Sequence, residues 1–372
     1  MPLTKVRNQG LSFTSGVRNL IINGAMQVAQ RGTSTASISS GNTFVLDRFR
    51  LQLVNGGTWT MSQSTTVPSG QGFSNSLKLD CTTADTSLGG DDLLQIQTLL
   101  EGQNLQHLAY GTSNAKTLTV SFWIRSNKTG TYTVELMHQT SSSTYPFTSK
   151  TFTISSADTW EKKTLSFAGD TSADIINSNA VGYYLNIWLG AGSLRTSGTL
   201  SNGTWNLTKA NRVSSSNVNL ADSTSNELYL TGVQLEVGDS ASDFEHRSFG
   251  DEYQRCLRYY YRTPAPNGGL AANEPFPCVG NMDGSTTGAY MLQFPIPMRA
   301  APSAIEQSGT ASDYSIRVTS DANGTSVPTA SGFTAESALI NLVSSGAGFT
   351  SGDACFMRAE STDAFLAFSA EL

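Results

Sequence analysis

"TLTVSFWIRSNKTGTYTVELMHQ" runs from Thr117 to Gln139, and its hydrophobic residues recur with a period of two. Leu118, Val120, Phe122 and Ile124 fall on one side of an extended chain, with Ser121, Trp123 and Arg125 on the other. Further on, Val134 and Leu136 belong to a core phase, and Glu135 and Met137 to the opposite side. A helix would repeat its apolar residues every three or four positions, so this spacing predicts strands with one buried face.

The same pattern extends in both directions. "NLIIN", "FVLDRFRLQLV", "WTMSQS", "SLKLDCT", "SKTFTIS", "WEKKTLSFAG", "AVGYYLNIWLG" and "NELYLTGVQLEVG" read as further strands, bounded by Gly, Asn, Ser, Asp and Pro. In "YYLNIWLG", Leu185, Ile187 and Leu189 face inward, while Tyr184, Asn186 and Trp188 share the other side. "DDLLQIQTLLEGQNLQHLAYG" breaks the rhythm and reads as a strand followed by a turn of helix, through Leu99, Leu100, Leu105 and Leu108. Short strands in regular series predict one large antiparallel sandwich or barrel.

One stretch is different. In "FEHRSFGDEYQRCLRYYYR" (244–262), Phe249, Tyr253, Cys256, Leu257 and Tyr260 make a single apolar stripe at helical spacing. Asp251 and Glu252 precede Arg255, Arg258 and Arg262, the order that suits the helix dipole. A helix from about Phe249 to Tyr261 follows, stopped by Pro264 and Pro266. Beyond it, "AYMLQFPIPM", "YSIRVTS", "ALINLVSS", "ACFMRAES" and "AFLAFSAEL" predict a second, smaller β domain. Tyr290, Leu292, Phe294, Ile296 and Met298 share an apolar phase there, and Pro295 and Pro297 push that strand toward an edge or bulge. Phe249, Tyr253, Leu257 and Tyr260 are candidates for interdomain packing or for association between copies.

Composition sets the function classes. The chain has 372 residues, 34 of them Gly, and only 14% are charged, as expected of many strands joined by tight turns. A net charge of −6 with Lys162-Lys163 as the one adjacent basic pair of Lys excludes a nucleic-acid partner held by phosphate neutralisation. Cys81, Cys256, Cys278 and Cys355 show no metal or disulfide spacing, so free thiols are expected, with Cys81 as a small buried hydrophobe. "MPLTKVRNQGLSFTSGV" has no apolar signal region, and no apolar run has membrane-span length; neither export by a cleaved signal nor membrane insertion is expected. Residues 1–16 read as an extended polar arm.

Catalytic motifs are missing: no G-x-S-x-G, P-loop, H-E-x-x-H or dinucleotide fingerprint occurs. Three histidines, His107, His138 and His246, leave few builders for acid/base or metal chemistry. Asp91-Asp92 and Asp251-Glu252 are adjacent acids and read as surface charge rather than a hydrolase pair. A non-enzymatic protein without metal or cofactor is expected. Flat aromatic rings beside short polar side chains suit sugar rings, so Trp123, Arg125, Glu135, Tyr184, Asn186 and Trp188 form the candidate glycan-binding set.

"RNLIINGAMQVAQRG" with "DRFRL", then "EGQNLQHLAYGTSNAKTLTVSFWIRSNKTGTY", "DTWEKKTLSFAGDTS", "TGVQLEVGDSASDFEHRSFGDEYQRCLRYYYR" and "QFPIPMRAAPSA" resemble the tail-fibre and other virion structural proteins of tailed bacteriophages. The resemblance spans most of residues 18–302. It implies a jelly-roll β-sandwich similar to carbohydrate-binding modules, whose opening N-x-x-x-N-G-x-F-E is echoed from Asn19 to Gln27, with Met26 and Gln27 in the Phe and Glu places. It also implies trimers or larger assemblies on the virion. The expected architecture is all-β: an N-terminal docking arm (1–16), a jelly-roll sandwich (17–244), a connecting amphipathic helix (245–263) and a C-terminal β domain (264–372). The expected role is a tail fibre or tail-associated subunit, assembled in the host cytoplasm, that partners other tail proteins, copies of itself as a homotrimer, and host surface polysaccharide. A capsid decoration or collar protein is the alternative, and an envelope-glycan depolymerase the second.

Overall fold

In a computed structural model the described residues are 18–264, 272–345 and 348–372. The arm assigned to residues 1–16 lies outside them. Twelve strands build the first unit: β1 (Ser34–Ile38), β2 (Gly41–Phe44), β3 (Phe49–Val54), β4 (Thr58–Ser64), β5 (Ser76–Thr83), β6 (Leu93–Glu101), β7 (Leu118–Ser126), β8 (Gly130–His138), β9 (Phe147–Ile154), β10 (Glu161–Phe167), β11 (Val181–Ala191) and β12 (Glu227–Val237). They form two antiparallel six-stranded sheets, β1-β4-β5-β12-β7-β10 and β2-β3-β6-β11-β8-β9. The chain passes repeatedly from one sheet to the other, as in β6 to β7 and β11 to β12, which makes the sandwich a jelly roll.

The period-two residues meet between the sheets. Leu118, Val120, Phe122 and Ile124 from one sheet and Val134, Leu136, Leu185 and Ile187 from the other are all buried in a single cluster. Cys81 lies in the same cluster, and all four cysteines are buried free thiols. A 3-10 helix, Gly102–Leu108, follows β6 and buries Leu105 and Leu108 as the sequence predicts.

Two expected strands differ. "NLIIN" is not a strand, because its asparagines take up the backbone groups that a ladder would pair. Asn19 Oδ1 accepts from Ile21 N and Leu235 N, and its Nδ2 donates to Val233 O. Asn23 Nδ2 donates to Val28 O and Asp47 O, while its Oδ1 accepts from Val28 N. Gly24 is required there: a Cβ on it would sit 2.1 Å from Val233 O. "FVLDRFRLQLV" is likewise interrupted, between β2 and β3, where Arg48 adopts φ +70°.

The helix α2 spans Phe249–Leu257, preceded by a single turn α1 (Ser193–Thr196) elsewhere. Ser248 caps α2 by accepting from Asp251 N. It ends about four residues short of the expected Tyr261, so the connecting helix assigned to 245–263 is corrected. Tyr260–Thr263 instead forms β13, paired with the chain's last strand. Aromatic and β-branched residues favour that pairing, and the i+11 place of Tyr260 in the helical stripe is coincidental.

After β13 come β14 (Val279–Met282), β15 (Thr287–Gln293), β16 (Ile305–Gln307), β17 (Tyr314–Arg317), β18 (Asp321–Asn323), β19 (Thr329–Phe333), β20 (Ser337–Val343), β21 (Ala354–Ala359) and β22 (Leu366–Ser369). They make a three-stranded sheet, β13-β22-β16, and a seven-stranded sheet, β18-β17-β21-β14-β15-β20-β19, around a second core that includes Tyr290, Tyr314, Leu342 and Phe368. Strand β15 is interior rather than an edge, because it stops at Gln293, before Pro295 and Pro297.

The connecting segment joins the two cores through buried polar contacts. Arg258 Nε and Nη2 donate to the Glu101 carboxylate at 2.7 and 2.8 Å, and Tyr259 OH donates to it at 2.6 Å. The Arg48 guanidinium lies 3.5 Å above the Tyr259 ring and pairs with Glu371. Gln30 Nε2 bridges Asp47 and the Tyr260 carbonyl, at 2.5 and 2.8 Å. Burial alone would raise the Glu101 carboxyl, but the hydrogen bonds from Arg258 and Tyr259 outweigh it and hold Glu101 below the ordinary range.

Asp47 goes the other way: burial pushes it up to about 6, against the pull of Arg31 and the Gln30 hydrogen bonds and with the help of Glu371. Its folded value is raised, so its contribution to stability is full below the unfolded value near ~4 and is lost as pH rises through about 6. Urea unfolding from pH 4 to 7 should therefore show wild type losing about 3 kcal/mol relative to Asp47→Asn. A difference that stays flat across that window contradicts this assignment.

Candidate functional site

A sandwich leaves each sheet one outer face, and the six glycan-set residues divide between the two. Trp123 and Arg125 lie on β7, while Glu135 lies on β8 and Tyr184, Asn186 and Trp188 on β11, in the opposite sheet. They do not converge on one site.

On the β11 side, the register places Arg50, Gln97, Asn186, Glu135 and Ser149 opposite one another across five strands. The side chains of the first four form a relay, whereas Ser149 Oγ has no hydrogen-bond partner. Arg50 Nε donates to Gln97 Oε1 at 2.6 Å, Gln97 Nε2 to Asn186 Oδ1 at 2.7 Å, and Asn186 Nδ2 to Glu135 Oε2 at 2.7 Å. Trp188 Nε1 also donates to Glu135, at 3.2 Å. Arg212 closes the row with two bonds to the same carboxylate, at 2.6 and 2.8 Å.

Arg212 belongs to residues 192–219, a long connection that lies over this face. Asn206 exchanges backbone bonds with Phe147, Ser201 Oγ accepts from Ser149 N, and Ser214 N donates to Thr133 Oγ1. Glu135, Asn186 and Trp188 are consequently 0% exposed. The expectation that Trp188 faces outward for sugar stacking is corrected: it faces away from the core, but Val213 and the rest of the strap cover it. Burial draws down the Arg212 guanidinium, and the Glu135 carboxylate outweighs this and raises it. Tyr184 stays half-buried at the rim, edge-on to the exposed Tyr145 at 6.4 Å.

The β7 side is open over half its width. At the other half, residues 239–246 lie over β12, with Ser242 and Glu245 bonded to Glu236 and Gln234. Phe73 seals the adjoining bulge over Gly232, whose φ is +63° and where a Cβ would meet the ring at 2.6 Å. Beyond that bulge, Trp123 lies opposite Lys162 and Thr231, and Arg125 opposite Tyr229. Trp160 stands edge-on to Tyr229 at 6.2 Å, and the Arg125 guanidinium lies 5.0 Å from the Tyr229 ring. Lys78 Nζ lies 3.0 Å from Glu227, and Arg125 pairs with Asp158 at 3.1 Å. Burial would lower the Lys78 ammonium, but Glu227 outweighs it and raises it.

Trp123 and Trp160 are half-buried, so ring surface remains in contact with water beside fixed charges. Such a surface can stack on a sugar and bond its hydroxyls. Of the sequence set, Trp123 and Arg125 are here; Trp160, Tyr229, Lys78 and Glu227 were missed. The period-two pattern of "NELYLTG" already puts Tyr229 and Glu227 opposite Leu228 and Leu230. Nothing local marks Trp160, which precedes β10.

Several other titratable groups are paired within the protein. His138 Nε2 lies 3.1 Å from Asp170 Oδ2, 0% exposed, among Tyr110, Tyr183 and Trp205. Burial would raise Asp170, but His138 and Ser172 outweigh it and lower it. A cavity of ~200 Å³ lies next to this cluster, lined by Gln106, Tyr110, Ser141 and Asp174. Asp91 pairs with Lys209 at the surface, whereas Glu252, expected as surface charge, is buried and accepts from Asn23 N and Arg247. In the packing set, Leu257 and Tyr260 are buried within the chain, and Phe249 is 56% exposed, stacked on Tyr253 at 5.9 Å. Among the described residues no helix is long and apolar enough to cross a membrane.

No family model and no curated protein matches this chain. Among solved structures, the enzymatically active domain of tailspike protein 4 from bacteriophage CBA120 is 13% identical with a TM-score of 0.32, covering 59% of this chain and 21% of that one. A putative sugar binding protein from Bacteroides thetaiotaomicron VPI-5482 has the same identity and score, covering 59% of this chain and all of that one (100%). The C-terminal family 22 carbohydrate binding module of Clostridium thermocellum Xyn10B is 13% identical with a TM-score of 0.29, covering 58% and 100%. No functional residue is carried across from any of them.

The strap contacts generate a direct test. Arg212→Ala leaves the Glu135 carboxylate buried without its cation and should lower unfolding stability by about 3–5 kcal/mol. Trp123→Ala, on the open face, should cost about 1 kcal/mol or less. Comparable losses for the two in urea titrations would contradict the sealed-row assignment.

Proposed function

We propose that this chain is a non-enzymatic virion protein of a tailed bacteriophage, a tail fibre or tail-associated subunit whose jelly roll contacts host surface glycans. The observation that carries the glycan contact is the open pair of Trp123 and Trp160, backed by the buried Tyr229 and flanked by Arg125, Lys78, Asp158 and Glu227. Two half-open indoles beside paired charges match a ligand with flat C–H faces and outward hydroxyls. The sequence motifs shared with phage virion proteins support the location, and residues 1–16 supply the docking arm. The platform is shallow, so single contacts are weak and copies on one particle add their effects.

Host envelope polysaccharide titrated into the protein calorimetrically should bind, and Trp160→Ala should weaken binding about tenfold, the worth of one stacked ring at ~1.4 kcal/mol. Equal affinity for Trp160→Ala and wild type would remove the platform from the reading. Labelled antibody on intact particles should decorate the tail; labelling of the head would favour a decoration or collar protein. New reducing ends released from the polysaccharide would favour a depolymerase.

A further inference from the structure

Three segments of the first unit meet at one end of the sandwich: the turn after the 3-10 helix Gly102–Leu108, the β8–β9 connection and the β10–β11 connection. Ile176 N donates to Gln139 O at 2.9 Å, Gly111 N to Asp170 O at 2.8 Å, and Ser141 N to Asp174 Oδ1 at 3.3 Å. The cavity of ~200 Å³ lies among them, and none of its lining residues belongs to the Trp123 face or to residues 192–219.

Its lining has two characters. Leu105, Tyr110 and Ile175 are buried and make an apolar floor. Gln106, Ser141 and Asp174 are exposed and stand at the rim, with bonding capacity to spare. Gln106 Nε2 donates to Gly102 O at 2.9 Å and to Ile175 O at 3.3 Å, which leaves its Oε1 without a donor among the described residues. Asp174 Oδ2 and Ser141 Oγ are likewise without a protein partner there.

The walls are fixed in advance. The Tyr110 and Tyr183 hydroxyls are hydrogen-bonded at 3.2 Å, and the Tyr110 ring stands edge-on to His138 and Trp205 at 5.3 and 5.6 Å. Ala109, also in the lining, holds φ +53° and ψ +33°, a left-handed backbone that is costly for a residue with a Cβ. Such conformations persist where the surroundings over-determine them, and they gather at ligand clamps.

We propose that this cavity binds one neutral sugar ring, free or at the end of a chain, as a site separate from the Trp123 face. Size limits the ligand to a single ring, because ~200 Å³ falls below the ~300–1,000 Å³ of pockets for drug-sized ligands. Chemistry selects hydroxyls. A carboxylate and an amide carbonyl only accept, so the ligand must bring donors, and a pyranose brings several beside C–H faces that suit the apolar floor. Charge disfavours acidic sugars, since Asp174 is the one charged lining residue and no Lys or Arg balances it.

Saturation-transfer NMR on the full chain, with methyl glycosides of glucose, galactose and mannose, tests this. At least one should bind with a Kd of roughly 1–10 mM, and methyl glucuronide at least about tenfold more weakly. Asp174→Asn keeps an acceptor for Ser141 N but removes the charge, so it should weaken the hexoside about tenfold and remove the discrimination against glucuronide. Ser141→Trp, which fills the mouth with an indole, should abolish binding. Both side chains are exposed, so the melting curves should not change. Trp160→Ala should leave hexoside affinity unaltered, which lets the cavity and the Trp123 face stand or fall separately. A disaccharide ending in the bound hexose identifies a chain end if it binds equally; binding of the methyl glycoside alone identifies a free sugar. No hexoside binding at several times that Kd overturns the proposal, as does wild-type affinity in both cavity variants. So does loss of hexoside binding in Trp160→Ala, or tighter binding of glucuronide or glucosamine than of any hexoside.

Discussion

Each strand has two sides, and in a sandwich only one enters the core. This constraint organises the molecule more than any single contact. Leu118, Val120, Phe122 and Ile124 satisfy the inner side of β7, and Trp123 and Arg125 are left for the outer side. Of the outer faces of the four sheets, three are finished differently. One carries aromatic rings and paired charges to the solvent, one is sealed by residues 192–219, and one, on the seven-stranded sheet, leaves Val279, Met291 and Leu339 exposed side by side.

The sealed face illustrates what burial demands of polar groups. The carboxylate of Glu135 and the amide of Asn186 lie buried under residues 192–219 because the relay from Arg50 to Arg212 gives them partners. The same rule governs the connection between the two cores. Glu101 is tolerated in the interior because Arg258, Tyr259 and Gln103 all donate to it. The isolated helix has its role here. It carries Glu252 and, just beyond its end, Arg258 and Tyr259 into these contacts, so it works as a clamp whose polar residues matter as much as its apolar stripe.

Much of the fold was legible because period-two patterning is local. The strands from β3 to β12 and the turn of 3-10 helix after β6 follow from alternation and bounding turn residues. What misled was also local. "NLIIN" has the apolar content of a strand, yet Asn19 and Asn23 bond the backbone themselves, and Tyr260 continues a helical stripe while pairing with Phe368's strand. Alternation showed which residues turn away from the core, and on that ground it placed Trp123 and Arg125 on the outer face, where the structure has them partly exposed.

Sequence alone determined the all-β character, the inward phase of β7, β8 and β11, the amphipathic helix and the lack of catalytic motifs, since these depend on neighbours a few residues apart. Tertiary structure decided which sheet each strand joined, and so put Trp123 and Trp188 on opposite sides of the sandwich. It also decided which outward side chains reach water. Trp123 and Trp188 have the same period-two signature, but exposure depends on whether a distant segment crosses the face, and no local pattern encodes where residues 192–219 come to rest.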